Sequence, residues 1–157
     1  MEWKLVVSVS RQLTDVFCNG RLVRTFPVST GKKGTGSERG SMKTPLGRHR
    51  VAVKVGEGCI HGTVFRGRIP TGEVWSKDPA NPLSATDKDL ITTRILWLGG
   101  LDEQNANTFE RTIYFHGTNQ EHLIGQPASH GCIRLTNSDI IELYDLVPAG
   151  AEVEIVA

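Results

Sequence analysis

The 157-residue chain reads as a mainly β fold with one main α-helix, and three features point there. Short apolar–polar alternations recur between turn residues, Asn19-Gly20 joins two of them, and only the stretch after Leu135 has a helical pattern. Asn-Gly between strands is a strong hairpin signal, because a type I′ turn needs positive φ at both central positions. The length suits one core, and no repeat or linker divides it, so one domain over residues 1–157 is expected.

In chain order, Lys4–Val9, Leu13–Cys18 and Arg21–Val28 are expected strands forming a meander. Ser29–Gly47 is rich in Gly, Ser, Lys and Thr and reads as a long exposed loop ending at Thr44-Pro45-Leu46-Gly47. Arg48–Val55 alternates as a strand with Val51, Val53 and Val55 on one face. Residues 56–90 carry many glycines and prolines and read as an irregular excursion with one hairpin at most, either a lid or a connector. Ile91–Leu98 is a strand ended by Gly99-Gly100, and Arg111–Phe115 is a short apolar strand that delivers His116. Glu121–Ile124 fits one helical turn closing at Gly125. The helix follows Leu135, with Thr136 or Asn137 as its cap, Ile140, Ile141, Tyr144 and Leu146-Val147 as its apolar stripe, and Pro148 and Gly150 as its stop. Glu152–Val156 is a final strand.

A 38% apolar and 22% charged composition is that of a globular protein, and a net charge of +1 gives no global reason to expect nucleic acid as a partner. The basic stretch from Lys32 to Arg50 reads as a solvated loop or as a funnel for an anionic substrate. No run is long enough to span a bilayer, and the first ten residues alternate like a strand rather than an export signal, so a cytoplasmic setting is expected if Met1 is the natural start. Trimming of an export segment would move the expectation to the periplasm or cell wall. Cys18, Cys59 and Cys132 are an odd number of thiols without close pairs, which fits a reducing compartment or a reactive thiol.

The chemistry concentrates in Ser129-His130-Gly131-Cys132-Ile133-Arg134. A thiolate is a strong nucleophile, but a free thiol with a pKa of about 8.5 needs a base or a positive environment. His116 and His130 are both candidates. A histidine two residues from the sulfur shapes the turn more easily than it reaches the sulfur, so His116, from a separate strand, is the expected base, with the Gly117 carbonyl as its orienting acceptor. Gly131 permits an unusual backbone, so the amides of Gly131 and Cys132 can converge as an oxyanion hole. Arg134 is a candidate fork for a substrate carboxylate, and Ser129 either binds substrate or fixes the turn. Tyr114 is a further candidate substrate contact. The competing readings are a structural thiol and a zinc site built from Cys59, His61, His130 and Cys132, whose spacing is not that of a standard finger. Neither a metal nor another cofactor is expected.

His116-Gly117-Thr118-Asn119, Ile124-Gly125 and Ser129-His130-Gly131-Cys132-Ile133-Arg134-Leu135, with Val28-Ser29-Thr30-Gly31 and Thr44-Pro45-Leu46-Gly47 upstream, resemble the L,D-transpeptidase (YkuD-type) catalytic domain family. The resemblance covers most of the chain outside residues 56–90. It implies a β-sandwich-type fold and cysteine acyl-transfer chemistry on peptidoglycan stem peptides, with Cys132 as nucleophile, His116 as proton acceptor, Gly117 orienting it, and His130, Gly131 and Cys132 forming the oxyanion turn. Many members have Asn where this chain has Arg134, although an Ile-Arg pair occurs in a large branch. The resemblance leaves three roles: an L,D-carboxypeptidase acting on soluble muropeptides with water as acceptor, a transpeptidase making 3→3 cross-links, and a non-catalytic stem-peptide binder. The first is favoured here, because the chain begins without an export signal.

Overall fold

A computed structural model describes all residues, 1–157. The opening meander forms as expected: β1 (Trp3–Ser8), β2 (Leu13–Cys18) and β3 (Arg21–Pro27), with Asn19 at φ 50° and Gly20 at φ 79° in the turn. They are followed by β4 (Gly47–Val55), β5 (Thr63–Arg66), β6 (Ile69–Val74), the long β7 (Ile91–Gly100), β8 (Tyr114–Gly117), β9 (Ile133–Leu135), helix α1 (Asn137–Leu146) and β10 (Glu152–Val156).

All ten strands belong to one hydrogen-bonded sheet, in the order β3-β2-β1-β10-β4-β7-β5-β6, which branches at β7. One edge of β7 carries β4 and then β5, and the other carries β8, to which β9 adds in parallel. The branch bends back onto the start of the sheet. Ser29, just past β3, and Arg134 on β9 exchange both backbone hydrogen bonds at 2.9 Å. The layers thus enclose one core in which Leu5, Val7, Val16, Phe26, Leu96, Leu98, Phe115, Ile133, Val153 and Ile155 meet Ile140, Leu143 and Tyr144 of α1.

Two local expectations change. Val53 is 37% exposed while Val51 is buried, because a register shift between them breaks the alternation of β4. Ser29–Gly47 is not simply an exposed loop, since Ser29, Thr30 and Thr44 are fully buried where they bridge to the Cys132 turn. The one hairpin allowed for in residues 56–90 is present as β5–β6, whose turn residues Gly67 and Arg68 both have positive φ.

Helix α1 is capped by Thr136, whose Oγ1 accepts from the Asp139 amide at 3.2 Å. Lys54 Nζ donates to the Tyr144 and Val147 carbonyls, which places a cation at the negative end of the helix. Asn137 ties the helix to the site. Its Nδ2 donates to the Thr118 carbonyl and to Glu121, while its Oδ1 accepts from the hydroxyls of Thr92 and Thr93.

Candidate active site

Parallel pairing of β8 with β9 sets Phe115 beside Ile133 and His116 beside Arg134. Phe115 and Ile133 enter the core, so the alternate residues Tyr114, His116, Cys132 and Arg134 gather on the other face. The Cys132 thiol accepts from the Tyr114 amide at 3.3 Å and donates to the Thr112 carbonyl at 3.5 Å. Packing around it pushes its pKa from 9.0 up to about 11, so the resting sulfur is a neutral thiol.

His116 is buried, and its Nδ1 donates to the Gly117 carbonyl at 2.6 Å. This bond fixes the tautomer that leaves Nε2 as an unengaged acceptor. Burial holds the imidazole below its ordinary value of 6.5 against the raising effects of the Gly117 carbonyl and the Asp89 charge. Gly117 has no room for a side chain: a Cβ there would lie 2.7 Å from the Thr92 carbonyl and 2.8 Å from Asn137 Oδ1.

The turn before the sulfur is built almost without freedom. Gly131 has φ +119°, and its carbonyl accepts from Thr44 Oγ1 at 2.9 Å. Ser129 Oγ donates to the Cys132 carbonyl at 2.6 Å and accepts from the Gly131 amide at 3.1 Å. The oxyanion-hole expectation is therefore corrected: the Gly131 amide is already committed. The amides of His130 and Cys132 make no hydrogen bond within the chain and are the free donors.

Of the three candidate substrate contacts, Arg134 and Tyr114 change role, and Ser129 takes the second of the two roles open to it. Arg134 is fully buried; its Nη1 donates to Asp89 at 2.9 Å and to Gln120 at 2.7 Å, and its Nη2 donates to Ser29 at 3.1 Å, so no fork is left for a substrate carboxylate. Ser129 is buried and fixes the turn. Tyr114 is buried between Trp97 and His116, with its hydroxyl accepting from Arg68 at 3.0 Å, so it is a wall of the site.

His130 extends outward to Asp89, with Nδ1 to Oδ2 at 3.1 Å, and lines an open cleft of about 230 Å³ with Arg39, Met42, Glu110, Arg111 and Ile113. Arg39 Nη2 is paired with Glu110 across it at 3.4 Å. Cys59 packs against the same Phe65–Ile95–Tyr114 cluster as Cys132, but no three His, Cys, Asp or Glu side chains are grouped to hold a metal. Asp89 and Thr112 escaped the sequence reading, because nothing local marks a lone acid in an excursion or a backbone carbonyl beneath the thiol.

The chain matches the L,D-transpeptidase catalytic domain (YkuD) family across residues 2–155. The chain belongs to the L,D-transpeptidase catalytic domain family. The L,D-transpeptidase-family protein YkuD of Bacillus subtilis is 26% identical over 157 residues, an alignment covering 98% of this chain and 65% of that relative. The chain thus spans a little under two thirds of the length of the curated relatives it matches along most of its own length. Among solved structures, an L,D-transpeptidase from Mycobacterium smegmatis superposes with a TM-score of 0.64 at 21% identity, covering 99% of this chain and 59% of that one. L,D-transpeptidase 3 from Mycobacterium tuberculosis, in complex with a faropenem-derived adduct, does so with a TM-score of 0.61 at 19% identity, covering 99% and 60%. These likenesses establish the L,D-transpeptidase fold and, with the family match, an enzyme family.

Proposed function

We propose that this L,D-transpeptidase-family domain is a cysteine acyl-transfer enzyme acting on peptidoglycan tetrapeptide stems. The supporting observation is the His116 arrangement: Nδ1 is locked on the Gly117 carbonyl, Nε2 is free, and Cys132 is on the adjoining strand end. Both partners rest neutral, so the thiol proton passes to Nε2 as the sulfur attacks rather than beforehand. The sulfur adds to the carbonyl on the L-centre of diaminopimelate. The oxyanion takes hydrogen bonds from the free His130 and Cys132 amides. The C–N bond then breaks, the D-alanine amine leaves with the proton held by His116, and a thioester remains on Cys132.

Water is the acceptor in this reading, which makes the enzyme an L,D-carboxypeptidase of soluble muropeptides in the cytoplasm. Cys132 is partly exposed, so water can reach a thioester formed on it. An amine acceptor would instead give a 3→3 cross-link. Incubation with a diaminopimelate tetrapeptide, with and without an acceptor peptide, tests both steps by mass spectrometry. Released tripeptide supports hydrolysis, dimer supports cross-linking, and neither product together with no faropenem adduct on Cys132 refutes acyl transfer. A binding module would hold the tetrapeptide equally well as Cys132→Ala and turn over none.

A further inference from the structure

The segment before β7 is stitched to both halves of the site. The Leu90 amide donates to Asn119 Oδ1 at 2.9 Å, and Asn119 Nδ2 donates to the Lys88 carbonyl at 2.9 Å. Lys77 pairs with Glu121 at 2.9 Å, and Glu121 in turn accepts from the first amide of α1 at 2.8 Å. Within this seam one carboxylate makes two directed contacts. Asp89 Oδ1 accepts from Arg134 and Oδ2 from His130. Those residues lie two before and two after Cys132.

We propose that Asp89 is a positioning residue for acyl transfer: by joining His130 to Arg134 it clamps the turn between them and holds the free His130 and Cys132 amides on the developing oxyanion. Arg134 supplies the fixed end of this clamp, being fully buried and bonded also to Ser29 and Gln120. His130 is the end that needs holding, since its side chain is 68% exposed and Asp89 is its one side-chain partner. The gap between two sequence motifs is thereby given a task, namely to deliver a carboxylate across the nucleophile turn.

The inference rests on the acyl-transfer reading, and the test separates the two. Acyl transfer passes through an oxyanion; alkylation of the same sulfur by iodoacetamide does not. Asp89→Ala and Asp89→Asn are compared with the unaltered protein for acylation of Cys132 by tetrapeptide and faropenem, and for Cys132 alkylation, each read by peptide mass mapping. Asp89→Asn guards against misfolding, because its amide oxygen still accepts from Arg134 while its amide nitrogen faces His130 Nδ1.

Loss of the clamp lowers the acylation rate about 10- to 100-fold, as expected for misplaced catalytic groups. Alkylation does not fall, since removing the Asp89 charge favours the thiolate. Asp89→Glu restores part of the acylation rate. Acylation unchanged in both variants overturns the inference, as does an equal fall in acylation and alkylation in a folded variant. An unaltered protein that is never acylated refutes acyl transfer itself.

Discussion

Arg134→Met separates an interior clamp from a substrate-binding arginine. The guanidinium is fully buried, and removing it strands three partners: Asp89, Gln120 and the buried Ser29 hydroxyl. Breaking a buried ion pair from one side costs about 3 to 5 kcal/mol. The lower end applies here, because the Asp89 side chain is 16% exposed and keeps His130 as a partner. Methionine fills most of the volume, so little of the loss comes from a cavity. With a urea m-value of about 2 kcal/mol/M, a loss of about 3 kcal/mol lowers the unfolding midpoint by about 1.5 M. Urea titration followed by far-UV circular dichroism measures it. A midpoint that stays put while the KM for tetrapeptide rises would refute the reasoning and return Arg134 to the substrate.

Other outcomes follow from the same geometry. Cys132 alkylation should keep accelerating beyond pH 9, because burial pushes the thiol up to about 11; a plateau near pH 7 would mean a preformed thiolate and contradict this. Burial lowers the folded-state pKa of both His49 and His116, so the unfolded chain takes up protons first as pH drops below 6.5. Stability should therefore fall below pH 6.5 by up to about 1.4 kcal/mol per pH unit for each histidine, and urea midpoints unchanged between pH 7 and 5.5 would contradict this. Ser129→Ala leaves the Gly131 amide without its acceptor and the Cys132 carbonyl without its donor; about 1 to 3 kcal/mol of stability and most of the faropenem acylation should be lost. Gly117→Ala forces a Cβ against the Thr92 carbonyl and should displace His116, which histidine NMR shifts would report.

The strands around the site were legible because each has its own local signal. Asn19-Gly20 carries its turn in two letters, and the apolar run into Tyr114-Phe115 is too short for a helix. The placement of His116, Gly117 and Cys132 together was legible because the first two are neighbours in sequence and Cys132 leads into the strand that pairs with theirs. Arg134 misled for a physical reason: spacing told which face it shares with Cys132 but not that Asp89, 45 residues upstream, covers that face. Ser129 was left between substrate and turn because its two bonds go to backbone atoms that only the folded turn presents. The place of the β5–β6 hairpin within residues 56–90 was not legible, because Gly67-Arg68 is an uncommon pair for its turn, with Arg68 held at φ 67° while it stacks on Trp97 and bonds Tyr114.

Mass mapping of the protein mixed with a diaminopimelate tetrapeptide, alongside Cys132→Ala and His116→Ala, bears most directly on the acyl-transfer mechanism. D-alanine release with a transient acyl group on Cys132, absent in Cys132→Ala and strongly slowed in His116→Ala, is the predicted result. D-alanine release that persists in Cys132→Ala would contradict it.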